Sequence, residues 1–204
     1  KLNTLWFNTG TLCNIECASC YIESSPKNDR LVYLTTADVA SYLDEIERDG
    51  LGTTEIGFTG GEPFMNPEMN SILEDTLARG FDALVLTNAM QPLLRPAVKE
   101  GVGQLVASYG AKLTFRVSLD HYSIELHDEE RGPCAFAKAM EGLAFLSSLG
   151  AQITIAGRTC WGEDETHSRA GYAALFADQS LSIDASDPLA LLLFPEMDET
   201  ADVP

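Results

Sequence analysis

Six short apolar runs recur along the chain of 204 residues, and their spacing limits the possible folds more than any other feature. Each run has the length of a buried strand, and helix-forming segments separate successive runs. The runs cover residues 4–7, 55–58, 83–86, 113–117, 152–155 and 189–194. Strands that alternate with helices predict an α/β fold built on a parallel sheet with right-handed crossovers.

Helical patterns are clearest in three of the intervening segments. The first begins at Thr36 and ends at Gly50, and the second begins at Pro67 and ends at Gly80. The third covers residues 135–149. The strand count predicts a partial (β/α)6 barrel of the TIM type, and a doubly wound open sheet fits the same order of elements. In either fold we expect the chemistry at the carboxyl ends of the strands.

The composition, 45% hydrophobic and 22% charged, is that of a soluble globular protein, and we expect one domain over residues 1–204. A formal net charge of −18 argues against a nucleic-acid partner, because a phosphate backbone would be repelled. The apolar runs are too short to span a membrane, and we expect no signal peptide. Three of the five cysteines are clustered, which is typical of metal ligands in a reducing compartment, so we expect a cytoplasmic protein.

The clustered cysteines are Cys13, Cys17 and Cys20, a C-x3-C-x2-C motif directly after the first predicted strand. Three thiolates on so short a loop can bind three corners of one [4Fe–4S] cluster and leave the fourth iron open. A zinc site is the alternative, with a fourth ligand from Cys134, Cys160, His121 or His127.

The motif resembles the signature of the radical S-adenosylmethionine (radical SAM) superfamily. In that family the open iron binds the amino and carboxylate groups of S-adenosylmethionine. A second family motif, Gly60-Gly61-Glu62-Pro63, follows the second predicted strand. The resemblance implies that this turn holds the amino group of the cofactor. Glycines allow a close approach to a ligand, and a carboxylate accepts from a positive group.

Three further residues extend the resemblance to the peptide-maturing and sulfatase-maturing branch, and to the molybdopterin-precursor cyclases. Asn88 ends the third predicted strand, Ser118 ends the fourth, and Arg131 follows it. The resemblance implies that all three lie near S-adenosylmethionine, with Arg131 bound to its carboxylate. The alternative for Arg131 is a surface ion pair with Glu129 or Asp128.

One position departs from the family pattern. The residue before the third cysteine is often aromatic in the family and packs near the adenine, but here it is Ser19. Candidates for packing against the adenine are Tyr21, Leu192 and Phe194. For Tyr21 we expect a position in the hydrophobic core instead. We expect His121 and His127 to be solvated rather than catalytic. Cys134 and Cys160 are expected to be inert thiols.

The resemblance implies a reaction as well as a fold. An electron from a small reduced donor protein cleaves S-adenosylmethionine, and the 5′-deoxyadenosyl radical removes hydrogen from a peptide, protein or small-molecule substrate. The alternatives are a zinc-binding (β/α) protein without radical activity and a degenerate barrel that acts as a binding module. With Cys134 and Cys160 too few for a second cluster, we expect one cluster, and a natural gene product that continues beyond Pro204.

Overall fold

The computed structural model describes residues 2–195, and its centre is a six-stranded sheet in which every neighbouring pair is parallel. All six predicted strands are confirmed. The sixth begins two residues later than predicted, and Leu189 before it is 76% exposed. The strands are β1 Thr4–Asn8, β2 Glu55–Thr59, β3 Asp82–Thr87, β4 Leu113–Ser118, β5 Gln152–Arg158 and β6 Leu191–Phe194.

The strands follow one another in sequence order across the sheet. Right-handed crossovers between sequential parallel strands place the helices on one side, as in a TIM barrel. A doubly wound sheet would require a reversal of strand order, and the described strands show none. The partial (β/α)6 barrel is therefore confirmed, with β1 and β6 as its two unpaired edges among residues 2–195.

Within the described residues, six helices of eight or more residues cover the sheet. Those at Thr36, Met69 and Ala135 were predicted, whereas the other three were not. The fourth is only eight residues long and strongly charged, and the third contains two glycines, which weakens a helical pattern. Within residues 2–195 no helix has the length and apolarity needed to cross a membrane. They are α1 Thr36–Asp49, α2 Met69–Ala78, α3 Pro96–Tyr109, α4 Ile124–Arg131, α5 Ala135–Ser148 and α6 Glu165–Asp178.

Alternate strand residues face opposite sides of the sheet. One side packs against the helices and forms the core, with Ile56, Phe58 and Phe115 fully buried. The opposite side is the inner face of the barrel. There Trp6 of β1 lies over Gly57 of β2, so closely that an added Cβ at Gly57 would come 2.4 Å from its ring. Trp6 remains 44% exposed, because no described strand closes the barrel beside β1.

Candidate functional site

The carboxyl ends of β1 to β4 bring the predicted site residues to one edge of the sheet. Residues 10–21, which we call the cysteine loop, follow β1. Residues 60–62, the Gly-Gly-Glu turn, follow β2. Asn88 comes directly after β3, and Ser118 is the last residue of β4. Parallel pairing in sequence order places these four segments side by side, as the rule for strand ends predicts.

The Gly-Gly-Glu turn packs directly on the cysteine loop. Gly61 N–H donates to Gly10 O at 2.8 Å, and Glu62 N–H donates to Leu12 O at 3.1 Å. A Cβ at Gly61 would lie 2.2 Å from Leu12 O. Gly60 has a φ of +139°, a backbone conformation that residues other than glycine rarely adopt. The close approach that these glycines allow is made to the cysteine loop.

Glu62 is a buried carboxylate held by three donors. It is 2% exposed, and it accepts from Thr87 Oγ1 at 2.8 Å, Asn88 N–H at 2.8 Å and Phe64 N–H at 3.2 Å. Burial raises the pKa of Glu62 to about 7, although these hydrogen bonds favour the ionised form. Because an ionised carboxylate has about four acceptor positions, one is left for a ligand.

The three cysteines differ in their surroundings. Cys13 is buried, and burial raises its pKa to about 12, against the lowering effect of a backbone hydrogen bond and of Arg131. Burial also raises the pKa of Cys17, again opposed by Arg131. N–H groups face two of the sulfurs: Asn88 Nδ2 lies 3.8 Å from Cys13 Sγ, and Ser24 N lies 3.2 Å from Cys20 Sγ.

Arg131 is largely shielded from water beside the cysteine loop and binds Asp120. Its Nη2 donates to Asp120 Oδ1 at 2.9 Å, while Nε donates to Oδ2. The side chains are 15% and 4% exposed. The alternative of a surface ion pair with Glu129 or Asp128 is therefore wrong. No role was predicted for Asp120 from sequence, although it lies two residues after Ser118 at the end of β4.

A second ion pair joins the cysteine loop to two distant elements. Glu130 of α4 accepts from the Ser19 backbone N–H at 3.0 Å and from the Ser19 hydroxyl, and its carbonyl accepts from Ala18 N–H at 2.9 Å. Arg158, at the end of β5, lies 2.9 Å from the same carboxylate and also contacts Ser19. Neither Glu130 nor Arg158 was identified from sequence, although a charged residue at a strand's carboxyl end was a usable signal.

His121 and His127 are both buried, and the expectation that they are solvated is wrong. His121 is 3% exposed; its Nδ1 accepts from Ser123 N–H at 2.9 Å, and its Nε2 lies 3.4 Å from Glu163. His127 is fully buried against Phe136, and neither ring nitrogen has a hydrogen-bond partner among the described residues. Burial lowers the pKa of His127 to about 4.

The remaining sequence candidates are dispersed. Tyr21 is 70% exposed, so the expectation of a core aromatic is wrong; it lines an open cavity of about 460 Å³ beside the cysteine loop. Cys134 is exposed at the start of α5, and Cys160 is half-buried. Ser118 is half-buried on the inner face. The expectation about the chain's end concerns residues 201–204, which lie outside the described residues.

The donor set of the cysteine loop fits an iron–sulfur cluster with one open iron. Three thiols come from one loop at the site edge, and N–H groups face two sulfurs, as they do when a protein tunes a cluster. In the described part of the chain no three His, Cys, Asp or Glu side chains are gathered around a point where one metal ion would bind. A cubane differs from such a site, because each thiolate binds a different iron.

Comparison with curated proteins gives several proteins that are named for maturation or biosynthesis. The chain is 34% identical over 145 residues to the antilisterial bacteriocin subtilosin biosynthesis protein AlbA of Bacillus subtilis (strain 168), covering 71% of this chain and 30% of AlbA. It is 30% identical over 138 residues to the mycofactocin maturase MftC of Mycobacterium ulcerans, covering 68% and 34%. The AdoMet-dependent heme synthase of Oleidesulfovibrio alaskensis is 28% identical over 144 residues, covering 70% and 34%. The chain thus spans about a third of the length of these relatives.

Solved structures share the fold at low sequence identity. Streptococcus suis SuiB bound to S-adenosylmethionine superposes with a TM-score of 0.75 at 14% identity, covering 98% of this chain and 42% of SuiB. The structure of anSMEcpe with bound AdoMet gives a TM-score of 0.68 at 15% identity, covering 97% and 50%. The sequence model of the radical SAM superfamily matches residues 7–166, which include the cysteine loop and the Gly-Gly-Glu turn. This chain belongs to the radical SAM superfamily.

Proposed function

We propose that residues 1–204 are the radical SAM core of a cytoplasmic enzyme that modifies a peptide or protein. The observation that carries this proposal is the packing of the cysteine loop on the Gly-Gly-Glu turn, through Gly61 N–H to Gly10 O and Glu62 N–H to Leu12 O. These two backbone hydrogen bonds hold the cysteine loop and the Glu62 carboxylate together at the edge where β1 and β2 end. A binding module that had lost its chemistry would not need both motifs intact.

Cys13, Cys17 and Cys20 would hold the [4Fe–4S] cluster, each through one thiolate. The cluster and S-adenosylmethionine would supply one-electron cleavage of a carbon–sulfur bond and a 5′-deoxyadenosyl radical for hydrogen abstraction from the substrate. A small reduced protein would donate the electron. The chain's own contribution is to hold, orient and shield these groups.

Gly60, Gly61 and Glu62 are proposed to bind the amino group of S-adenosylmethionine. Glu62 suits this role because three donors fix its position while one acceptor position remains. A cation bound there would also favour the ionised carboxylate, whose pKa burial has raised to about 7.

Asn88, Ser118 and Arg131 are proposed to surround the rest of the cofactor. Arg131 uses two of its five N–H groups on Asp120, and the others can bind the carboxylate of the cofactor. Asn88 Nδ2 already lies 2.9 Å from Asn14 Oδ1 and 3.8 Å from Cys13 Sγ, so it connects β3 to the cysteine loop.

A peptide or protein substrate is proposed from the relatives. The subtilosin and mycofactocin proteins are named for biosynthesis and maturation, and one SuiB structure is bound to the precursor peptide SuiA. The heme synthase relative favours a second candidate, a small-molecule substrate. The neighbouring genes distinguish the two substrate classes, because the gene of a peptide-modifying enzyme is expected beside a short open reading frame for the precursor peptide.

Anaerobic reconstitution tests the proposal. The protein is expected to bind about four irons and to turn brown. Reduced with dithionite, it should form 5′-deoxyadenosine from S-adenosylmethionine. Replacing Cys13, Cys17 or Cys20 by Ala should abolish iron loading. Cys134→Ala is the matched control, because Cys134 is exposed on another element and should be dispensable. One zinc and no iron would favour the zinc-binding alternative, and a protein without metal would favour the binding module.

A further inference from the structure

Arg116 places a positive charge on the inner face of the barrel. In β4 it lies between Phe115 and Val117, which are fully buried on the helix side, so its own side chain projects to the opposite side. It is half-buried there. Its Nε donates to Oγ1 of Thr154, the neighbouring inner-face residue of β5, at 3.3 Å.

The guanidinium of Arg116 has no carboxylate partner in the described part of the chain. The ion pairs there involve six other arginines and two histidines, and none includes Arg116. Glu55, at the start of β2, acts on it only at longer range and is itself bound by Thr4 Oγ1 at 3.2 Å. Because half-burial removes part of the water around this charge and no carboxylate replaces it, the guanidinium is free to pair with an anionic ligand.

The surroundings of Arg116 suit the acidic group of an otherwise less polar ligand. Its neighbour on β3 is Leu86, while Trp6 provides an exposed aromatic surface elsewhere on the inner face. Ser118, which we place near S-adenosylmethionine, lies two residues further along the same strand and on the same face. Two strand residues span about 7 Å, so a substrate at the reaction site could reach Arg116.

We propose that Arg116, assisted by Thr154, binds a carboxylate of the substrate within the barrel. The proposal rests on the proposed function and adds one feature of the substrate, an acidic side chain or a free carboxyl terminus. The planar guanidinium offers paired N–H donors that match a carboxylate, and Thr154 Oγ1 can turn its hydroxyl hydrogen toward the same ligand. In a chain with a net charge of −18, this interior cation would select an anionic group that the acidic surface would otherwise repel.

NMR of the 15N-labelled, anaerobically reconstituted protein tests the proposal through the Arg116 Nε–H signal, assigned by its loss in Arg116→Gln. One probe is N-acetylglutamic acid α-amide, which carries a side-chain carboxylate. A second is N-acetylglycine, which carries a terminal one, and N-acetylglutamine amide is the neutral control. We expect a saturable shift of the signal with at least one carboxylate, and the probe that binds more tightly identifies the source of the group. Sodium chloride at equal ionic strength controls for screening.

Arg116→Gln should weaken binding of that probe at least tenfold, as followed by the backbone signals of β4 and β5. Arg116→Lys should weaken binding of the probe less, because lysine keeps the positive charge but lacks the paired N–H donors of the guanidinium. Arg48→Gln is the matched control and should bind normally, since Arg48 is exposed and paired with Asp49. If Arg116→Gln does not fold, loss of the signal in Arg116→Lys assigns it, and Thr154→Val with the neutral probe still decides the question.

The proposal is wrong if neither carboxylate shifts the Arg116 signal, or if the neutral amide shifts it equally. Formation of 5′-deoxyadenosine by the unaltered protein is measured separately. Cleavage without carboxylate binding would overturn the role of Arg116 alone, whereas absence of both iron and cleavage would overturn the proposed function.

Discussion

Arg158 Nη1 and Glu130 Oε1 lie 2.9 Å apart and join the end of β5 to the end of α4. The same Glu130 carboxylate accepts from Ser19 N–H at 3.0 Å, next to Cys20. Two residues far from the cysteines in sequence therefore hold one end of the cysteine loop, while the Gly-Gly-Glu turn holds the other. Ser19, which replaces the aromatic residue common in the family, makes this connection together with Ala18, whose N–H donates to Glu130 O at 2.9 Å.

Arg158→Gln should lower the free energy of unfolding by about 2 kcal/mol, the usual range for a hydrogen bond to a charged group. The two side chains are 18% and 13% exposed, so solvent screens them little. Urea denaturation of the single variants Arg158→Gln and Glu130→Gln and of the double variant measures the coupling. Arg48→Gln, whose pair with Asp49 is exposed, should leave the midpoint unchanged. Strict additivity of the two single changes would contradict the interaction.

Asp120→Asn should be more destabilising, by about 3–5 kcal/mol, because it leaves the Arg131 charge buried beside a neutral partner. Asn is close to Asp in shape, so the loss reflects charge and hydrogen bonding more than volume. Urea denaturation again gives the free energy. Asp44→Asn is the control, since Asp44 is 65% exposed where it meets Arg79, and it should change stability much less. An equal effect of the two substitutions would show that burial of the Arg131 pair does not matter.

Gly61→Ala should separate the Gly-Gly-Glu turn from the cysteine loop. The added Cβ would lie 2.2 Å from the backbone oxygen of Leu12, and backbone cannot move aside as a flexible side chain does. We expect reduced iron loading and a lower denaturation midpoint. Gly103→Ala makes the same chemical change within α3, where the nearest atom is 3.8 Å away, and it should stabilise the helix by about 0.5–1 kcal/mol. Normal iron loading in Gly61→Ala would mean that the packing is not required.

His127 should make the protein acid-sensitive. Burial lowers its native pKa to about 4 from an ordinary value of 6.5; Arg131 also lowers it, while Asp120 and Asp128 raise it. The unfolded chain therefore takes up the proton first. The contribution of neutral His127 to the free energy of unfolding is present above pH 6.5 and is lost as the pH falls toward 4. At pH 4.5 the loss is about 2–3 kcal/mol.

His127→Leu should remove this part of the pH dependence. Urea denaturation at pH 7.5 and at pH 4.5 gives the unfolding free energy of the variant and of the unaltered protein. From the higher to the lower pH, the variant should lose less unfolding free energy than the unaltered protein. His167→Leu, a change at an exposed position of α6, should follow the unaltered protein at both pH values. Parallel pH profiles for His127→Leu and the unaltered protein would refute the assignment.

The order of the strands could be predicted from sequence because each strand carries its own apolar signal, and sequential parallel strands obey a fixed handedness. The cysteine motif could be recognised for a similar reason, since Cys13, Cys17 and Cys20 lie within eight residues. The Gly-Gly-Glu turn could be recognised because it comes directly after the second predicted strand. These features are local in sequence, and their position directly after a strand is enough to predict that they lie at the carboxyl edge of the sheet.

The ion pairs around the site were decided by the tertiary structure alone. Arg131 binds Asp120 instead of its sequence neighbours Glu129 and Asp128, because α4 turns its side chain toward the end of β4, where water is excluded. Glu130 meets Arg158 across 28 positions of sequence, and Ser19 across more than a hundred. Burial of His127 likewise follows from packing against Phe136 of α5. Charge and burial depend on which elements meet in space, and a linear pattern carries that information only for residues on the same element.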